Sequence, residues 1–452
     1  MSTSLSPDLM TQLSEFVAAR IGLHFPKERW NDFGVGLTSA AREQGMINEE
    51  AYAQWLLSAT LTRREIETLA SHLTIGETYF FREKGSFDAL EEQILPELIK
   101  TRRSDGKRLR IWCAACCTGE EPYSVAMLLD RMIPDLPAWN VTILATDINP
   151  RFLEKASAGV YREWSFRITP PAIKSNYFSP VETGKLQIAE RIRQMVTFSF
   201  LNLAEDTYPS LVNNTNAMDV VLCRNVLMYF TPQKVARVVA GLHNTLVDNG
   251  WLLVAPSEAS QELYEQFSLV GSPHATLYRK SMVATPSAAL VETTADEVPA
   301  ARKKDLRAEA AVLAPSPTVA PFDLTARALA NHGDLSEALS LCDLAITSEP
   351  LNPAHRFLRA MIAQEQGGLD EAVRFLKQTL YLDANFVMAH YALGNLAKRL
   401  GRREQSRRHF RNVLTLLDVL EPDAPLPEAG GLTAGRLIEM LRSSMNGGGE
   451  YA

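Results

Sequence analysis

The sequence predicts an α/β protein: a parallel sheet with covering helices, preceded by a small helical domain and followed by an all-α repeat array. Between about 109 and 280, short apolar runs alternate with stretches of helical periodicity, as in parallel sheets. Residues 1 to about 72 carry apolar residues at helical spacing, and the C-terminal part repeats every 34 residues. A length of 452 residues fits about three domains.

Composition excludes several broad classes. The formal net charge of -7 argues against nucleic acid as a partner, because binding phosphate generally needs a basic excess. No apolar run reaches the length of a membrane-spanning helix, and the start lacks a secretory pattern, so we expect a cytoplasmic protein without direct membrane insertion. Five cysteines argue against a disulfide scaffold. Cys113 and Cys116 have the spacing of half a zinc site, but no second pair follows, so we expect no metal.

The first predicted domain spans residues 1–75 and is helical. Pro26 and the glycines at 34 and 36 divide it into segments. Six basic side chains in this region fit either an ordinary solvated helix face or a docking surface for an acidic partner. Its basic residues are Arg20, Lys27, Arg29, Arg42, Arg63 and Arg64.

The second predicted domain spans residues 76–280 and contains the sheet. Its short strands end in polar residues, which places these residues at the carboxyl edge, where open α/β sheets bind ligands. Residues 161–200 alternate enough to predict a small antiparallel β insertion. The predicted strands are 109–115, 141–147 and 218–225, and the predicted helices are 121–133, 151–159 and 232–250. Asn249-Gly250 closes the last helix, and the apolar run WLLVAPSE follows it.

The C-terminal third begins with a Pro-, Ala- and Thr-rich segment, 281–319, that we interpret as a flexible linker. Over 320–420, Gly333, Gly367 and Gly401 recur every 34 residues. Such a period, with small residues at packing positions, resembles tetratricopeptide repeats, whose helix pairs stack into a superhelix with a concave binding face. Three units are visible. We expect a capping helix and tail over 421–452.

No phosphate loop, HExxH, GxSxG or GxGxxG motif is present, which argues against hydrolases, kinases and zinc proteases. Instead, AACCTGEEPYS (114–124) predicts a strand-to-helix turn of small residues with two carboxylates, Glu120 and Glu121. Such a turn lets a ligand approach the backbone, and its carboxylates favour a cationic ligand. Asp147 ends the next strand, where an acidic residue accepts ribose hydroxyls or, alternatively, caps the helix near Pro150. S-adenosylmethionine, a cation bearing adenosine, satisfies both sites.

Five motifs in order resemble the CheR family of chemotaxis receptor methyltransferases over about residues 10 to 280. The resemblance implies a Rossmann-like domain that transfers methyl from S-adenosylmethionine to receptor glutamates and releases S-adenosylhomocysteine. The repeats are similar to those of a CheR subset that includes WspC-type enzymes. The motifs are GETYFFRE (76–83), IWCAACCTGEEPYS (111–124), ATDI (145–148), FLNL (200–203) and CRNVLMYF (223–230).

The resemblance also implies roles for individual residues. It places Tyr229 at the reaction centre. Gly76 departs from the pattern, since some relatives have asparagine there. The implied cofactor contacts are Thr78 and Arg82 at the methionine part, Glu120 in the turn, Asp147 at the ribose, Asn202 and Leu203 beside the adenine, and Arg224 with Asn225 closing the pocket.

The expected partner is the cytoplasmic domain of a chemoreceptor, with a protein partner or self-association through the repeats. The insertion lacks the glycine-rich loop of family members that grip a receptor's C-terminal peptide, which predicts an enzyme independent of such a tether. Two alternatives stay open at this point. One is a methyltransferase for another substrate, and the other is a non-catalytic scaffold that binds partners through its repeats.

Overall fold

A mixed seven-stranded sheet forms the centre of the chain in the computed structural model, which describes residues 5–46, 48–59, 61–272, 275–281, 321–429, 432–435, 437–438 and 441. The strand order is β6-β2-β1-β7-β8-β10-β9, with the first five strands parallel and β10 antiparallel to both neighbours. The strands of this sheet are β1 (Arg108–Ala114), β2 (Asn140–Asp147), β6 (Val196–Phe200), β7 (Met218–Cys223), β8 (Leu246–Val254), β9 (Phe267–Val270) and β10 (Thr276–Lys280).

Helices cover both faces of this sheet, as its buried strands require. Along β1, Ile111 and Cys113 belong to one hydrophobic core, and Trp112 and Ala114 belong to the core on the other face. This alternation follows from the two-residue period of a strand. The helices of this part are α5 (Lys84–Ala89), α6 (Leu95–Ser104, joined to α5 by the π-helical segment Leu90–Ile94), α7 (Glu120–Met132), α8 (Pro150–Ala158) and α11 (Pro232–Thr245).

The predicted insertion is a small three-stranded antiparallel sheet in the order β3-β5-β4. It lies beside the start of α7, because Tyr161 of its first strand donates a hydrogen bond to the Thr118 carbonyl at 2.8 Å. Its elements are β3 (Val160–Arg162), α9 (Pro171–Tyr177), β4 (Phe178–Glu182), β5 (Lys185–Ile188) and α10 (Glu190–Arg193).

The N-terminal region is helical, as predicted, and has a hydrophobic core of its own. Its fourth helix begins with a capping box, in which Thr62 and Glu65 exchange side-chain and backbone hydrogen bonds. The four helices are α1 (Pro7–Arg20), α2 (Trp30–Glu43), α3 (Glu49–Ser58) and α4 (Arg63–Leu73).

The predicted helix over 232–250 is wrong in its last turn. The helix α11 ends at Thr245, and Leu246 already belongs to β8. Leu246 and Val247 are buried, and Leu246 pairs with Met218 of β7. The exposed residues Asp248 and Asn249 follow at an irregularity in the strand pairing. Burial of the apolar pair against the sheet therefore decides the boundary, and Asn249-Gly250 lies inside a strand.

Three antiparallel helix pairs follow at the predicted period of 34 residues. Gly333, Gly367 and Gly401 lie in the turns within the pairs, each with a positive φ that favours glycine. The expected linker lies outside the described residues except for Ser281. The pairs are α12 (Pro321–His332) with α13 (Leu335–Ser348), α14 (Pro353–Glu365) with α15 (Leu369–Leu382), and α16 (Val387–Arg399) with α17 (Arg403–Leu417).

The repeats pack against the amino ends of the parallel strands. Glu365, at the end of α14, faces the guanidinium of Arg110 in β1 at 3.7 Å and accepts a hydrogen bond from Asn216. The Glu365 carbonyl accepts a second one from Asn140 at 3.0 Å. The repeats thus lie at the edge of the sheet opposite the carboxyl ends of β1, β2 and β7. No helix among the described residues is long and apolar enough to cross a membrane.

We predict that Glu365→Ala lowers the free energy of unfolding by about 3 kcal/mol, because it leaves the buried Arg110 without its carboxylate. Urea denaturation of the whole chain measures this change. The matched control is Glu337→Ala, at an exposed position of α13. Equal midpoints for the two variants would contradict the buried ion pair.

Candidate active site

A large cleft opens at the carboxyl ends of the parallel strands, where the sequence predicted a ligand site. Residues that follow β1, β2, β6 and β7 line it, and it encloses about 1040 Å³, its open mouth included. The strand order reverses between β1 and β7, which is the position where open α/β sheets bind ligands. Of the residues proposed from the sequence, it brings together Thr78, Arg82, Asp147, Asn202, Leu203, Arg224, Asn225 and Tyr229.

The turn after β1 forms the floor of the cleft. Ala115 and Cys117 adopt positive φ angles, as does Gly119 just before α7. A Cβ at Gly119 would lie 2.8 Å from the Cβ of Ala156, so this position needs glycine. Burial raises the pKa of the Cys117 thiol, which fits a small spacer better than a nucleophile.

Asp147 ends β2 as a buried carboxylate. It accepts hydrogen bonds from the amides of Cys117 and Asn149, at 2.8 and 2.9 Å, and so ties the β1 turn to the end of β2. Burial nevertheless raises its pKa to about 6, because charge is disfavoured away from water. The cap of α8 is Asn149, whose side chain accepts from Arg151 and Phe152. The capping alternative for Asp147 is therefore wrong, and this carboxylate lines the cleft.

The two glutamates of the turn have different positions. Glu120 is buried outside the cleft lining, where it accepts hydrogen bonds from Thr118 and Ser165 at 2.6 and 2.9 Å. Glu121 lines the cleft instead and pairs with Arg224 at 2.8 Å. Burial raises the pKa of Glu121. Sequence reasoning missed its position in the lining, because the neighbouring glutamates are indistinguishable until the helix fixes their directions.

Arg224 joins three parts of the wall. Its side chain is 2% exposed and pairs with Glu83 at 3.0 Å as well as with Glu121. Asn225, in a left-handed conformation, donates a hydrogen bond to Glu83 at 3.0 Å. Both residues follow β7, so this network fixes the end of β7 against the segment that precedes α5.

Thr78 and Arg82 both line the cleft, and they do so from a segment that is not helical. Arg82 donates a hydrogen bond to the Glu77 carbonyl, which curls the segment over the cleft. At Gly76, where some relatives have asparagine, a Cβ would lie 2.8 Å from the Phe152 ring. The close approach of that ring explains the glycine.

Asn202 and Leu203 follow β6 on the opposite wall. The Asn202 side chain donates to the carbonyl of Arg20, at the end of α1, and accepts from the Ala204 amide, at 2.9 and 3.0 Å. It therefore attaches the N-terminal helices to the wall. Leu203 is buried and gives the lining an apolar surface.

The N-terminal region closes the cleft over Tyr229. The Tyr229 carbonyl accepts a hydrogen bond from the His24 amide at 2.6 Å, and Leu23 forms a β-bridge with Phe230. The guanidinium of Arg29 lies 5.5 Å from the centroid of the Tyr229 ring. No local pattern signals this closure, because residues 23 and 229 meet only in the folded chain. The lining residues missed from this region are Ile21, Leu23, His24, Phe25 and Arg29.

Glu258, after β8, holds the loop that carries Asn225 and Tyr229. Its buried carboxylate accepts hydrogen bonds from five backbone amides and so offsets the lack of regular structure in this loop. Its role is not predictable from the sequence, because a lone glutamate after a strand belongs to no recognisable pattern. The donors are the amides of Asn225, Val226, Leu227, Met228 and Ala255, at 2.7 to 3.3 Å.

The cleft fits S-adenosylmethionine chemically. Asp147 is a buried acceptor suited to ribose hydroxyls, apolar side chains such as Leu203 and Phe230 surround the space, and Glu121 is an anion for the cationic part. Arg82 supplies positive charge for a carboxylate. The fold and the cleft together define an S-adenosylmethionine-dependent methyltransferase.

Comparisons with known proteins agree. The family model for the SAM-binding domain of CheR methyltransferases matches residues 76–276. A probable chemotaxis protein methyltransferase of Rhizobium etli is 36% identical to this chain, over 52% of this chain and 87% of its own length. A chemotaxis protein methyltransferase of Borreliella burgdorferi is 31% identical, over 57% of this chain and 90% of its own length. The chain belongs to the CheR methyltransferase family. A probable biofilm formation methyltransferase, WspC of Pseudomonas aeruginosa, is 29% identical over 77% of this chain and 86% of its own.

We predict that S-adenosylmethionine binds about tenfold more weakly at pH 5 than at pH 7. A ribose bound at Asp147 would need the carboxylate ionised. Below the Asp147 pKa of about 6 the protein must first release a proton, so the affinity falls as the pH is lowered. Calorimetric titration at several pH values measures this. Asp147→Asn, which cannot ionise, should bind more weakly at pH 7 and show a flatter profile; an unchanged profile would exclude Asp147 as the titrating group.

We predict that Glu258→Gln lowers the free energy of unfolding by about 2 kcal/mol and weakens cofactor binding about tenfold, because an amide replaces an acceptor of charged hydrogen bonds. Thermal unfolding and calorimetry measure the two effects. Glu262→Gln, at an exposed position nearby, is the control. Wild-type affinity in Glu258→Gln would mean that the loop keeps its shape without the carboxylate.

Proposed function

We propose that this chain methylates glutamate side chains of chemoreceptors, forming methyl esters that tune signalling adaptation. Its relatives include proteins named chemotaxis protein methyltransferases. The observation that carries the proposal is the position of Arg29 beside Tyr229 at the cleft, which places positive charge where an anionic carboxylate substrate would approach.

In the proposed reaction the main task of the protein is to hold the carboxylate and the methyl group in position. When bound, S-adenosylmethionine supplies the methyl group: a carboxylate oxygen forms the new C–O bond, and the electron pair of the C–S bond remains on sulfur. A glutamate with a pKa of about 4.3 is already ionised, so no residue has to remove a proton. In our proposal the Tyr229 hydroxyl orients the carboxylate, and residues 21–29 exclude water that would solvate it.

We assign the cofactor contacts as the sequence resemblance implies, with one addition. Asp147 would hold the ribose and Asn202 and Leu203 would flank the adenine. Glu121 joins the set, because it lines the cleft and Glu120 does not. The other assigned contacts are Thr78 and Arg82 at the methionine part, and Arg224 with Asn225 at the closed end.

The proposed partner is the cytoplasmic domain of a chemoreceptor, met by the N-terminal helices through basic side chains such as Arg29. The turn between β4 and β5 contains a single glycine, Gly184, which supports methylation without a C-terminal receptor tether. We further propose that the repeats dock a protein partner or a second copy of the chain. Their attachment at the opposite edge of the sheet leaves the cleft open to the receptor.

Transfer of labelled methyl from S-adenosylmethionine to a receptor cytoplasmic fragment tests the function. We expect base-labile label, as methyl esters give, and its loss when the receptor's acceptor glutamates are changed to alanine. Cofactor binding without label on any receptor would favour a scaffold, and base-stable label would favour another substrate group.

We predict that Tyr229→Phe lowers kcat about tenfold with an unchanged cofactor Kd, because one orienting hydrogen bond contributes about 1.4 kcal/mol. The same labelling assay and calorimetry measure both quantities. Tyr381→Phe, at a tyrosine that is 90% exposed in the repeats, is the matched control. Full turnover in Tyr229→Phe would remove the orienting role.

A further inference from the structure

The first helices of the repeats form a face on which equivalent positions lie 34 residues apart. Arg327 of α12, Met361 of α14 and Asn395 of α16 are such a set, and Phe357 and Tyr391 are another. In stacked helix pairs these positions line the concave face that commonly binds peptides. We call this surface, defined by these five residues, the concave groove.

The concave groove is covered in part: Asn395 of α16 is exposed, but the surface of α14 is not. None of the thirteen residues of α14 is exposed, although an open array would leave one side of this helix in water. Phe357 is 1% exposed, and Met361 and Tyr391 are partly buried in the same hydrophobic cluster. The methyltransferase domain covers part of α14, because Leu211 shares a hydrophobic cluster with Leu358 and Ile362. A further segment lies over the part that carries Phe357.

The chain's own C-terminal segment, residues 421–429, provides part of the cover. It follows α17 of the third repeat, yet Glu428 forms an ion pair with Arg327 of the first. Leu426 and Ala429, 6% and 1% exposed, belong to the cluster that contains Phe357. A segment that leaves the last repeat and reaches the first must run across the helices between them.

The composition of the segment is that of a peptide ligand. Its sequence, EPDAPLPEA, holds three prolines and three acidic residues. Prolines lower the entropy lost when an extended peptide is bound. Apart from Leu426 and Ala429, no residue of the segment is buried. Besides the ion pair, backbone hydrogen bonds hold it to residues 432–435, such as that from the Ala434 amide to the Ala424 carbonyl at 2.9 Å.

We propose that the concave groove is a peptide-binding site occupied by the chain's own segment 421–429, and that an acidic, proline-containing segment of a partner protein binds there by displacing it. Arg327 selects a carboxylate, and the cluster around Phe357 takes one aliphatic side chain. The resident segment is tethered, so its effective concentration is on the order of millimolar. A partner peptide must compete with it, which makes access to the groove controllable.

Fluorescence anisotropy of a labelled synthetic peptide, EPDAPLPEA, against the whole chain tests the proposal. We expect weak binding to the wild type and at least tenfold tighter binding to Glu428→Gln, whose resident segment has lost its ion pair. Glu421→Gln, an exposed position of the same segment, is the matched control and should behave as the wild type. Equal affinities for all three proteins would show a permanent cap and overturn the proposal.

A charge reversal separates specific binding from loss of fold. Arg327→Glu should reject this peptide and bind a version carrying Glu428→Arg, whereas Glu428→Gln should show the opposite preference. Circular dichroism and binding of S-adenosylmethionine to each variant establish that the repeats and the cleft are intact. If Arg327→Glu retains its helical signal but does not reverse the preference, Arg327 does not select the ligand and the proposal fails.

Discussion

The buried guanidinium of Arg224 is the interaction on which the cleft depends. It lies between Glu83 and Glu121, and thereby joins the end of β7, the segment before α5 and the first turn of α7. A buried charge is tolerated only when opposite charges and hydrogen bonds compensate it. The three elements therefore have to meet at this point, and the Asn225 side chain reinforces the junction through Glu83.

Two further carboxylates accept hydrogen bonds from backbone amides and so hold loops in place. Asp147 ties the turn after β1 to the end of β2, and Glu258 collects the amides of the loop after β7. Both lie at strand ends, where the backbone leaves the sheet and its amides need new acceptors. The irregular walls of the cleft are thus held by side chains, which allows loops without regular structure to keep a defined shape.

The two edges of the sheet carry different parts of the protein. The carboxyl ends and the N-terminal helices enclose the cleft, whereas the amino ends carry the repeats through Glu365, Arg110 and Asn216. A partner that occupies the repeats does not obstruct the cleft directly. The repeats therefore suit a role in choosing where the methyltransferase acts, and the cleft residues suit the chemistry.

The sequence by itself determined the α/β class and the three repeats, because strand ends, glycine turns and a 34-residue period are local patterns. Of the nine site residues proposed, eight line the cleft, and all of these but Asp147 were proposed only from the resemblance to the CheR family. Only the tertiary structure decided which glutamate of the turn faces the cleft, where α11 ends and that residues 21–29 cover Tyr229. These features depend on contacts between residues far apart in the chain, such as Leu23 with Phe230 and Arg327 with Glu428. Burial and pairing at such contacts leave no periodic trace in the sequence.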